Sequence, residues 1–119
     1  MAAAKYWERG EALDYNNGSG SKIDANTIVV LTAGAAGRIG VVGTDIPNGA
    51  VGSVHVTGVF QMPKSSSNAI TQGTAVYWDG TGVTEDSNDG GGTPTYYPSA
   101  GFAAYDAAAA DETILVKIG

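Results

Sequence analysis

The chain has one histidine, His55, and no cysteine. A histidine-based metal cluster would need carboxylates alone beside that imidazole, and disulfides and thiol chemistry are excluded. On an alternating strand, His55 is expected on a solvent or interface face. A nucleophilic triad needs a histidine, a nucleophile and an orienting acid. The serines cluster at 65–67 with no elbow motif around them, which reads as a loop. Asp86-Ser87-Asn88-Asp89-Gly90 has the opening of a calcium loop but lacks the glutamate at the twelfth position that closes such a site. No G-x-x-x-x-G-K-[ST] phosphate cradle occurs. Tyr77 and Trp78 offer ring faces to a ligand, yet aromatic residues on a strand more often fill a core or a subunit contact. These residues predict no catalytic group, no metal and no cofactor.

Charge narrows the partners. The 119-residue chain has 6 Lys and Arg against 12 Asp and Glu, a formal charge of −6. From Asp79 to Glu112 inclusive there are seven carboxylates and no Lys or Arg, so the second half presents an acidic face. Phosphate backbones demand clustered positive charge; the basic residues here are dispersed, which argues against direct nucleic-acid binding. The longest aliphatic run, Ile28–Leu31, is far too short to span a bilayer, so no membrane association is expected. The N-terminus lacks the apolar stretch of a signal peptide. The expectation is a protein that acts where it is made, or in something assembled there.

The elements that position these residues read as strands. There are 18 Val and Ile against 3 Leu, with 11 Thr besides; β-branched side chains favour the pleated sheet over the helix. Strands are predicted over 11–16, 27–32, 38–45, 51–60, 75–78, 97–105 and 113–118. The 27–32 strand has few polar positions, so it is expected to be buried on both faces or at a subunit contact. Asp79-Gly80 predicts a hairpin, Glu85–Thr95 an exposed Gly/Asp-rich loop, and Ala107–Ala110 at most one helical turn. Residues 1–10 show no alternation and read either as a frayed terminus or as an N-terminal arm that orders against a partner, with Tyr6 and Trp7 as candidate anchors; 11–119 form a single domain.

Two stretches, 21–56 and 68–118, repeat one pattern. Ile23-Asp24-Ala25-Asn26-Thr27 matches Ile70-Thr71-Gln72-Gly73-Thr74, each before an apolar strand. Gly40–Asp45 matches Gly101–Asp106, each a glycine-led strand closed by Asp. A doubled strand unit predicts a small all-β barrel with an internal pseudo-repeat. Gly and Ala supply 18 residues each, and Leu, Ile, Val and Phe together only 23 of 119. So thin a core predicts subunit contacts, hence a homo-oligomer.

In series along the chain stand Glu8-x-Gly10, Asp14-Tyr15, Ile23-x-Ala25, Val29-Val30-Leu31, Gly40-Val41 and Asp45-Ile46-Pro47-Asn48-Gly49-Ala50-Val51-Gly52. They are followed by Val56-x-Gly58-Val59-Phe60-x-x-Pro63-Lys64, Ile70-x-x-Gly73-x-x-Val76-Tyr77-Trp78-Asp79 and Thr113-x-x-Val116-Lys117-Ile118. This order and spacing resembles the DUF2190 family of tailed bacteriophages across nearly the whole chain. The resemblance implies a capsid decoration, or cement, protein, with the major capsid protein as partner and a homo-oligomer, a trimer by preference, on the outer surface of the virion head. Before assembly it would reside in the host cytoplasm. It would resist internal DNA pressure; Tyr6 and Trp7, the anchors of the arm reading, are then the candidate capsid-binding residues. Some members carry a recombinase label, which the missing phosphate motif contradicts. The loop around 89–95 is longer and richer in glycine than the family pattern. The alternative class is a virion-displayed module binding a host surface or carbohydrate, resting on Tyr96-Tyr97 and Trp78.

Overall fold

The computed structural model describes residues 3–119; Met1 and Ala2, the start of the expected arm, lie outside the described residues. Nine strands follow in order: β1 (Ala12–Asn16), β2 (Ile28–Thr32), β3 (Arg38–Val42), β4 (Val51–His55), β5 (Gly58–Pro63), β6 (Ala75–Trp78), β7 (Val83–Thr84), β8 (Ser99–Ala103) and β9 (Thr113–Ile118). No helix occurs among the described residues, so the all-β expectation holds. At Ala107–Ala110 there is a turn instead: the Asp111 amide donates to Ala108 O at 3.1 Å and the Ala108 amide to Asp111 Oδ2 at 2.8 Å.

The repeat is structural, and it is longer than the sequence pattern. In the first unit β1 pairs β4, β2 pairs β3 and β3 pairs β4, all antiparallel. In the second, β5 pairs β9, β6 pairs β8 and β8 pairs β9, again antiparallel. An isolated bridge, Ile23–Ile46 in one and Ile70–Ala107 in the other, occupies the same place. The repeated Asp explains itself here. Asp45 Oδ1 accepts from the Ala25 amide and Asp106 Oδ1 from the Gln72 amide, each at 2.8 Å, tying the turn after the bridging Ile to the strand end across from it. The positive φ that this turn needs falls on Asn26 (70°) and on Gly73 (90°), residue types that tolerate the left-handed region.

The strands form one branched sheet rather than a closed barrel. β3 pairs with β2, β4 and, through the single parallel bridge Arg38–Ser99, with β8. Around the second unit the ladder runs β5-β9-β8-β6-β7, and the link from β7 back to the end of β5 is one parallel bridge, Lys64–Val83. Pro63 has no amide hydrogen to extend β5, and β7 has only two residues, so a full ladder cannot form there. The expected 51–60 strand is divided: β4 stops at His55, and β5 starts at Gly58, where φ is 123°. That glycine passes the chain from one unit to the next.

Two apolar clusters lie side by side. Val29, Val42, Ile46 and Val54 fill the first unit; Met62, Ile70, Val76, Val83, Val116 and Ile118 are central to the second, with Ile39 and Val41 of β3 added to it. β3 therefore buries both faces and joins the halves. β2 does not: Val29 is buried but Val30 is 41% exposed. Matching polar anchors close each unit. Asn17 is fully buried and its Nδ2 donates to Ile46 O, Pro47 O and Ser21 O. At the counterpart position after β5, Lys64 donates from Nζ to Ala109 O and Ser66 O. Asn17 satisfies the buried Ile46 carbonyl, and each side chain ties together turn carbonyls of its own unit.

Candidate functional site

Residues 3–10 carry no strand and lie on the surface. Tyr6 is 78% and Trp7 83% exposed. Two large aromatic side chains left in water gain nothing for the fold, since the favourable free energy of such rings comes from burial. The segment leads into β1 through Gly10, at φ 73°, and a loose surface pair, Arg9–Glu11 at 3.9 Å.

The other candidate residues are occupied locally. His55 ends β4 and its ring lies 5.8 Å from that of Phe60. The serines 65–67 do not meet it. The Ser65 hydroxyl donates to Asp79 Oδ2 at 2.7 Å and that of Ser66 to Glu85 Oε1 at 2.9 Å. Asp79 also accepts from the Thr81 and Gly82 amides, both at 2.8 Å, which closes the β6–β7 hairpin anticipated at Asp79-Gly80. Partial burial works to raise the pKa of Asp79, but the Ser65 hydroxyl and these amides outweigh it and hold the carboxyl below its ordinary value. Glu85 is likewise lowered: desolvation opposes, and Asn68, Ser66 and the Lys64 charge prevail.

In the 85–95 loop, Asp89 Oδ1 accepts from the Gly91 amide at 3.0 Å and from the Thr95 amide at 3.2 Å, lowering its pKa. The aspartate that looked like a calcium ligand acts as a loop cap. Among the described residues no group of three His, Asp and Glu is arranged to hold a metal ion, and no helix is long and apolar enough to cross a membrane.

One surface feature was not singled out in the sequence. On the outer side of β5, β9 and β8, Val59 (52% exposed), Leu115 (40%) and Phe102 (44%) stand together, with Tyr105 (59%) beyond the end of β8. Phe102 and Val59 flank Lys117 across the ladder, and Leu115 lies opposite Gln61. Tyr105, Gln61 and Leu115 border a groove of about 280 Å³. Strand alternation carries the signal: Ile114, Val116 and Ile118 point inward, so Leu115 must point out.

No curated protein and no solved structure gives a match. A family model described as phage cement protein matches residues 7–118, which takes in Trp7 and every strand. The match agrees with the resemblance read from the motifs and ties the chain to the phage capsid as a structural component. By this span of match, the chain belongs to the phage cement protein family.

Proposed function

We propose that the protein binds the outer surface of the assembled capsid and stabilises the head against internal DNA pressure, as a homo-oligomer, with a trimer favoured. The major capsid protein is the partner, and the arm bearing Tyr6 and Trp7 supplies the first contact. The observation that carries this is the exposure of both rings at the head of a chain whose family is that of phage cement proteins. An extended segment can add to a sheet edge on the capsid through main-chain hydrogen bonds while its rings fill pockets. No substrate is turned over and no nucleic acid is held directly, because the basic residues are dispersed.

Binding to the expanded shell and not to its dissociated subunits stabilises the shell by mass action, about 2.7 kcal/mol per site at a hundredfold excess over Kd. Co-sedimentation with expanded shells lacking the protein tests the reading. Saturable binding that survives high salt is expected, since apolar and hydrogen-bonded contacts are little screened. No binding to shells, with binding to a glycan surface instead, would replace it with the display-module reading.

A further inference from the structure

We propose that the outer face of β5, β9 and β8, with Val59, Phe102, Leu115 and Tyr105 at its centre, is where copies of this chain meet, these faces turned toward a common symmetry axis. This rests on the homo-oligomer of the preceding reading and names its interface. The internal repeat supplies the control. Backbone pairing makes Val41 the counterpart of Phe102, since Val41 faces His55 as Phe102 faces Lys117. The same register sets Ser53 against Leu115, Ala12 against Val59 and Thr44 against Tyr105. In the first unit Val41 is sealed at 3% exposure, beside a cleft lined by Ile28, Phe60 and Met62. Its neighbours there are Ser, Ala and Thr. In the second unit the same fold positions carry Leu, Val and Tyr around a Phe left 44% exposed. The fold does not require apolar residues at these places, because the first unit does without them.

Charge points to a second copy as occupant. Two chains of −6 each repel wherever their carboxylates approach. The charged groups within this face are Lys117, tied to Thr57 Oγ1 and Ile118 O, and Asp106, engaged by the Gln72 amide; Arg38 borders it beside Phe102. It is therefore a surface on which two acidic copies can touch with little electrostatic cost.

The absence of cysteine permits a direct test in the full chain. A Leu115→Cys variant should react with a maleimide at least tenfold more slowly above the association concentration than below it, whereas Ser53→Cys at the counterpart site should react equally at both. Phe102→Ser with Leu115→Ser should raise the dissociation concentration at least tenfold by sedimentation, and added salt should strengthen wild-type association. Labelling of Leu115→Cys that ignores concentration while the protein oligomerises would overturn the proposal. A wild-type chain that stays monomeric yet binds shells would also overturn it, and would leave the capsid-binding reading standing.

Discussion

Replacing Gly101 by alanine is expected to unfold much of the second unit. Gly101 has φ of 113° and lies in β8 against β9, where an added Cβ would overlap the Lys117 carbonyl oxygen. Backbone, not a movable side chain, stands in the way, so the ladder between β8 and β9 must separate. The expected cost is about 3 kcal/mol or more, enough to lower Tm by on the order of 10 °C. The repeat again provides the comparison. Gly40 is the counterpart in β3, and a Cβ there would meet His55 O and Val54 Cβ at 3.3 Å with no positive φ to oppose it. Gly40→Ala should therefore stay within about 1 kcal/mol of wild type. Thermal unfolding by circular dichroism checks both; equal losses at the two sites would mean that the units are not packed as described.

Deleting residues 2–8 is expected to leave the melting transition in place and to weaken shell binding about thirtyfold or more, the consequence of losing aromatic anchors worth at least about 2 kcal/mol. The stability half follows from exposure: Tyr6 and Trp7 bury little against the domain, so removing them opens no cavity. The affinity half follows from their assigned role. Trp7→Ala alone should account for much of the loss. Particle titration monitored by sedimentation measures it, and unchanged affinity after the deletion would place the capsid contact on the folded domain.

Much of the architecture was legible because its signals are local. The Val- and Ile-rich runs at 28–32 and 113–118 became β2 and β9, and the aromatic run at 75–78 became β6, since branched and aromatic side chains favour the pleated sheet. The repeat was legible where a residue type recurs, as the apolar Ile23 and Ile70 or as Asp45 and Asp106, whose carboxylates hold backbone amides. It was invisible at β1 and β5, whose sequences ALDYN and GVFQMP share no pattern, because main-chain hydrogen bonds alone set their equivalence. The break at Gly58 was hidden for a related reason: alternation records side-chain faces and not the sign of φ. Asn17 read as part of a turn cluster, yet long-range bonds to Ile46 and Pro47 place it in the interior. Outward Leu and Phe on a strand are individually ordinary; only comparison with the first unit shows that the outer apolar face of the second is unusual.

On the proposed function, this chain holds a capsid together. The measurement that bears on it most directly is DNA release from full heads on heating, with the protein at graded occupancy and in low and high salt. Because each filled site adds its own mass-action term to the assembled shell, the release temperature should climb steadily with occupancy. It should do so almost equally at both salt concentrations. Release curves that superimpose from empty to saturated heads would contradict the account.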